Sequence, residues 1–492
     1  MQFQSIHPAF IAVISSLVLS ACGGGGGSGS APTAPPPSGN VPPPPAAETI
    51  TTVGAITGFG SVFVNGVRYD TSSATVTLDD SPGVESDLRV GQVVTLTGSI
   101  NDDGSSGSAD SIDFDDNVEG PVGSIDIANN RLVVLGQTVL VDGSTVFDDN
   151  ISPASLEGLN PGDFVEVSGL TNADGAVVAS RIEKKPAGGE MEIRGKVSSL
   201  DSANSTFNIN ALVVDFSGAM LDNFSGGTIS DGDFVEAKGT TLGSNGELIA
   251  TRVERENPGV GDDDFDGQFQ IEGLITRFVS ATDFDVAGLP VTTTDQTVFL
   301  NGTAADLALN LKVQVEGSRN ADGVLVATKV DIRRASNTRI HAPVDSVDAG
   351  SDTVVMLGIS VRIDAMTQIE DKSDADVRSF SIADISVGDF LEVRGMEDPD
   401  NAGGVLASRL EREDPENEVR LRGPVESVSD PSLVILGVTI ETNGGTQFED
   451  ISDNPISASA FFGAVAPGVI VQANGVVSGT QTIIADEVEF EN

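Results

Sequence analysis

Past residue 21 the chain of 492 residues carries one cysteine, Cys22, and one histidine, His341. Nucleophilic catalysis needs a base within hydrogen-bond reach of its serine or cysteine, and zinc needs several His or Cys ligands gathered together. His341 stands between Ile340 and Ala342 in an alternating pattern whose counterparts elsewhere in the chain carry Glu119, Arg194, Glu272 and Arg422. It reads as a solvent-facing strand residue, and no catalytic centre is predicted.

Carboxylates are the abundant reactive groups, with 74 Asp plus Glu against 26 Lys plus Arg and a net charge of −48. Oxygen-rich clusters suit calcium. Asp262-Asp263-Asp264-Phe265-Asp266-Gly267 has the opening spacing of an EF-hand loop, which makes Asp262, Asp264 and Asp266 the calcium candidates. Loop position twelve is Gly273, however, with Glu272 one residue early, and a strand pattern follows where a helix belongs. The segment therefore reads first as an acidic linker and hinge, and no cofactor besides calcium is implied. Acidic pairs recur at Asp79-Asp80, Asp148-Asp149, Glu370-Asp371 and Glu449-Asp450, where solvated surface charge is the ordinary reading and cation binding the alternative. The negative field repels phosphates, which excludes nucleic acid as a partner. Trp is absent and Tyr69 is the single tyrosine, so aromatic platforms for sugars are scarce.

The elements that must position these groups come in six copies, at 53–117, 118–186, 189–257, 268–334, 338–412 and 418–492. Each opens on an alternating strand with a central glycine (Gly120, Gly195, Gly273, Gly423), which predicts a bulge or sharp bend there. A hairpin follows, with its turn at Asn65-Gly66, Gly136-Gln137 or Asn210-Ala211, and beginning at Gly358 and Gly437 in the last two copies. Next comes a motif seen most fully as Leu159-Asn-Pro-Gly-Asp-Phe-Val-Glu-Val-Ser-Gly169. Its fourth position is Gly91, Gly162, Gly232, Asn310, Gly388 and Gly468, a set that predicts φ > 0. A last strand, Ala179-Ser-Arg-Ile182 and its counterparts, completes the unit. Five strands in each copy predict an all-β chain of six small five-stranded OB-like barrels, with strand order left open. Domains this small bury only about 60% of their unfolded surface, so contacts between barrels are expected to matter. Basic residues in the fifth strand accompany Glu or Gln in the fourth, which predicts the cross-strand pairs Glu166–Arg181, Glu236–Arg252 and Glu392–Arg409.

The Gly-Asp-Phe-Val-Glu-Val-x-Gly and Ala-x-Arg-Ile signatures resemble the bacterial family known as domain of unknown function 5666, whose members are tandem small β domains of secreted and lipid-anchored proteins. The resemblance implies fold and context and carries no functional residues.

Residues 1–21 read as a secretory signal peptide, with an apolar run from Phe10 to Leu19. Leu19-Ser20-Ala21-Cys22 resembles a bacterial lipobox, which implies lipidation of Cys22. Residues 22–52, rich in Gly, Ser and Pro, form a disordered tether. By resemblance, Gly23 after the cysteine points to the outer membrane. The chain is thus expected to be a lipid-anchored, extracytoplasmic envelope protein and a non-enzymatic structural or adhesion scaffold. Its partners are the membrane, through the anchor, and an envelope protein or polysaccharide. The alternative is a module that binds calcium, a glycan or a protein between adjacent barrels.

Overall fold

The computed structural model describes residues 49–101, 103–256, 268–333, 336–451 and 454–491. Cys22 with its lipobox, the tether up to residue 48, and Asp262, Asp264 and Asp266 with the acidic linker lie outside the described residues.

Alternation of apolar and polar residues closes every repeat into the same barrel. In repeat 2 the first strand, Val118–Asp126, pairs antiparallel with Arg131–Val134, which turns back into Gln137–Leu140. That third strand runs parallel to the fifth, Val177–Lys185; the fifth pairs antiparallel with the fourth, Phe164–Thr171, and the fourth with the first. The circuit 1-2-3-5-4-1 is the OB-type Greek key, a strand order the sequence had left open. Val118, Val122, Leu132, Val134, Val139, Val165, Val167 and Ile182 fill its interior. A short extra strand after the third, such as Val146–Phe147 or Gln368–Asp371, adds to the fifth. Repeat 6 carries a helix in this connection, Ala458–Ala464, with the Ser457 hydroxyl accepting from the Ala460 amide at its N-terminus. Helical periodicity did not show it because it makes barely two turns; its buried Phe461 packs on Phe448 and Phe490.

The two glycines of the motif have different causes. Gly91, Gly162, Gly232, Gly388 and Gly468 have φ between 88° and 93°, and Asn310 has φ 65°, as predicted. From that turn the Gly162 amide donates to Val122 O, and the Gly388 amide to Val344 O, tying the turn to the first strand. The terminal glycine sits where the fourth strand bulges against the fifth. A Cβ on Gly169 or Gly395 would run into the Val178 or Leu406 carbonyl oxygen.

The first-strand glycine and the hairpin turn depart from expectation. The bulge lies beyond the glycine, between Val122 and Ser124. Gly120 instead clears room for the hairpin, since a Cβ there would come within 2.5 Å of Leu135 Cγ. The turn is Leu135-Gly136, with φ 45° and 72°, one residue earlier than Gly136-Gln137. Pairing of Val134 with Gln137 leaves those two residues as a two-residue turn with φ > 0 throughout, and a leucine occupies its first place. Leu357-Gly358 and Leu436-Gly437 repeat the arrangement.

The described repeats fall in one compact unit, Ala47–Asn492, instead of standing apart as an extended string. First strands join across repeats. Val118 and Glu119 pair antiparallel with Ile193 and Glu192, and Arg339–His341 with Arg420–Arg422. Repeat 1 passes over its neighbours to pair in parallel with repeat 4, Ile50–Val53 on Gln268–Ile271. The first strand begins at Thr49, within the stretch assigned to the tether, because it pairs from Thr49 with Ser99 of its own repeat and from Ile50 with repeat 4.

Candidate functional site

On the fourth strand of repeat 2, Val165 and Val167 enter the barrel, yet Glu166 and Ser168 on the opposite face are also buried. Neighbouring repeats cover that outer face. The chemistry-bearing side chains therefore lie in the seams between barrels, where buried charge must be compensated.

None of the three expected cross-strand pairs forms as an ion pair. The register sets Glu166 opposite Glu183 and Arg181 opposite Ser168; Glu236 faces Glu254, and Glu392 faces Glu411. Acid and base are staggered by two residues, because the fifth-strand arginine sits at the bulge and not across from the acid. Glu166 binds Lys185 at 2.6 Å, Glu236 binds Lys238 at 3.2 Å, and Glu392 binds Arg394 at 2.7 Å and Arg339. The arginines reach other repeats instead. Arg181 donates to Val90 O at 3.2 Å, Arg409 to Thr145 O at 2.6 Å, and Arg252 binds Asp80 at 2.8 Å.

His341 is likewise not solvent-facing. It is fully buried, its Nε2 lies 2.8 Å from Glu413 Oε2, and its ring meets the Phe390 ring edge-on. Pairing of its strand with repeat 6 covers the face that a lone barrel would expose. Beside it, burial alone would raise the Glu392 carboxyl. The Arg394, Arg339 and Arg409 guanidiniums outweigh burial and hold it well below the usual carboxylate range.

The seam joining repeats 1, 2 and 3 has the opposite balance. Glu183, Glu166, Glu119 and Glu192 stand abreast across four strands in register. Asp116, from the connection into repeat 2, is 1% exposed, and one carboxylate oxygen from each of Asp116, Glu119 and Glu166 lies within 4.8 Å of the others. Burial, and then Glu192, Glu166, Asp79 and Glu119, push the Asp116 carboxyl far above its ordinary value. Burial, and then the neighbouring Glu236 carboxyl, push Glu192 up to about 10.

Two of the acidic pairs latch one repeat to another. Asp80 of repeat 1 takes Lys238 of repeat 3 at 3.1 Å, and Asp149 of repeat 2 takes Lys372 of repeat 5 at 2.6 Å. Asp371 is buried within repeat 5. Burial raises its carboxyl, but Arg412, the Ser373 hydroxyl and the Val377 and Ser373 amides outweigh burial and bring it down to about 2. A depressed carboxylate stabilises the fold above its unfolded value, near 3.8, and loses that contribution as pH falls through about 2. Asp371→Asn should therefore cost about 1 kcal/mol at neutral pH, after allowance for solvent screening, and progressively less below pH ~4. Urea midpoints of both proteins across that range check it.

A cavity of about 350 Å³ opens where repeats 1, 2, 4 and 5 meet, lined in part by Thr57, Ser180, Lys312, Met366 and Ser408. Six consecutive matches to one family model, the domain of unknown function (DUF5666), cover 49–113, 119–183, 194–254, 272–331, 341–411 and 422–489. The chain belongs to the DUF5666 family. No curated protein matches it. The six DUF5666 matches span the barrels, whereas the groups richest in chemistry lie at the seams, and Asp115 and Asp116 fall between the first two matches. Asp116, Glu119 and Glu192 were missed as a group by sequence reasoning. Only the pairing of first strands across repeats brings them together, and no local pattern announces that pairing.

Proposed function

We propose that this DUF5666 chain is a non-enzymatic scaffold of the bacterial cell envelope, held to the membrane by lipid on Cys22. The observation that carries the reading is where the reactive side chains are spent. Apolar residues fill the barrel interiors, and the buried charges tie repeat to repeat: Arg181 to Val90 O, Arg409 to Thr145 O, Lys372 to Asp149. Such cross-links tie small domains, each marginal alone, into one compact unit. A second reading, a module that binds its ligand between barrels, draws on the cavity shared by repeats 1, 2, 4 and 5.

Fatty-acid labelling and membrane fractionation of cells producing the full chain test the first reading. The wild type should incorporate label and sediment with membranes, and Cys22→Ser should do neither. Capture of envelope components on the unlipidated protein tests the second. Membrane retention of unlabelled Cys22→Ser would overturn the lipid anchor.

A further inference from the structure

We propose that Asp116, Glu119 and Glu166 form a binding site for a hard divalent cation, with calcium the ion their all-oxygen donor set suits, at the seam of repeats 1, 2 and 3. The inference does not depend on the anchoring or scaffold reading, and its failure would leave that reading standing.

Geometry comes first. One oxygen from each carboxylate lies within 4.8 Å of the other two. Oxygens bound to one calcium at about 2.4 Å stand no more than about twice that distance apart. Asp116 comes from the connection between repeats 1 and 2, Glu119 from the first strand of repeat 2, and Glu166 directly opposite it on the fourth. An ion held by all three would fasten that connection to the sheet. Glu119 is only partly buried, which leaves a side from which water could complete the six to eight oxygens calcium takes.

The second observation is Asp116 itself. It is 1% exposed, and neither carboxylate oxygen has a hydrogen-bond partner among the described residues. A buried carboxylate without a partner is costly, and the nearby cations, Lys185 on Glu166 included, bind other carboxylates and not Asp116. Lys185 serves Glu166 at 2.6 Å and Glu183 at 3.4 Å; Lys238 serves Glu192, Glu236 and Asp80; Arg194 serves Asp115 and Glu256. The Asp116 amide points at Asp79 Oδ1, 3.3 Å away, which adds another acid to the group.

The protein supplies its own comparison. Repeats 5 and 6 join by the same antiparallel pairing, with His341 and Arg420 facing each other where repeats 2 and 3 set Glu119 against Glu192. Glu392, the counterpart of Glu166, lies between Arg339 and Arg394. One seam thus draws its positive charge from side chains, and the other has acids at the same places. Like charges directly opposed destabilise a sheet, and Lys185 and Lys238 bind Glu166 and Glu192 but leave the Asp116 carboxylate without a partner, which an outside cation would supply. The two other groupings, His341 with Glu392 and Glu413, and Asp80 with Glu236 and Glu254, each already hold two cations. These are Arg339 and Arg394 on Glu392, and Lys238 and Arg252 on Asp80, whereas the grouping at Asp116 holds Lys185 alone, on Glu166.

Calorimetric titration of the chelator-stripped mature chain with calcium chloride at physiological ionic strength tests this, with thermal unfolding in parallel. The wild type should show one saturable site above diffuse surface binding, with Kd at or below about 10⁻³ M, and an unfolding temperature that rises with calcium. Asp116→Asn should weaken that site by at least about tenfold and remove the thermal shift, and Glu119→Gln should reproduce the loss. Replacing the exposed Asp110 with Asn should change neither readout. The proposal is overturned if the wild type shows no calcium-dependent shift, which would leave protons neutralising the cluster. It is overturned equally if Asp116→Asn and Glu119→Gln respond as Asp110→Asn does, or if replacing Asp262, Asp264 and Asp266 with Asn abolishes the shift while Asp116→Asn keeps it.

Discussion

Gly395→Ala should destabilise repeat 5 by about 3 kcal/mol, read as a lower urea midpoint and faster amide exchange in its fourth and fifth strands. The added methyl would be driven into the Leu406 carbonyl oxygen, and neither partner is free to retreat. Gly395 pairs with Ala407 just after the bulge, and the Leu406 carbonyl that blocks the methyl belongs to the closing strand of the barrel. Gly388, seven residues earlier in the same motif, provides the contrast. Its φ is 92°, and a Cβ there would meet nothing within 4 Å. Gly388→Ala should therefore cost only about 1–2 kcal/mol of backbone strain, and Gly388→Asn less, since Asn310 holds this place in repeat 4. Equal losses at the two sites would mean that conformation, and not close approach, governs both.

Glu392→Ala should cost about 2–3 kcal/mol, because it strips the shared, buried carboxylate from Arg339 and Arg394 and leaves two partly buried guanidiniums uncompensated. The same kind of change at the acidic seam should have the opposite sign. In chelator, Glu119→Gln removes one of four glutamates set abreast and should raise the unfolding temperature. The wild type should overtake this variant as calcium is added. A destabilising Glu119→Gln in chelator would show that the seam is already neutral without a metal. The pair of experiments separates two uses of one position in the fold, with the compensating charge drawn from arginine in one seam and from solution in the other.

The barrel itself was legible in the sequence. Period-two alternation in segments such as Val165-Glu166-Val167 states which residues face an interior, and Gly162 and its counterparts announce a left-handed turn through residue type alone. Both signals are local, because backbone sterics and side-chain direction act within a few residues. The staggered register at Gly169 was not legible: the bulge adds Ser180 to the fifth strand, so that Ala179 and Ile182, three residues apart, both face the interior, and this break in the alternation does not say which acid each base will meet. Position within the motif therefore pairs Glu166 with Arg181, whereas Lys185 is its partner. His341 reads as solvent-facing for a related reason: alternation distinguishes inside from outside for one barrel and says nothing of what covers the outside. Repeat 1 pairs with repeat 4 and repeat 2 with repeat 3, a choice made by long-range packing that leaves no periodic trace. Six copies of one barrel therefore follow from the sequence alone. Which outer faces meet, and hence that Asp116 and Glu119 lie beside Glu192 of repeat 3 and Asp79 of repeat 1, was decided only by the tertiary structure, because burial of charge depends on neighbours that lie far apart in the chain.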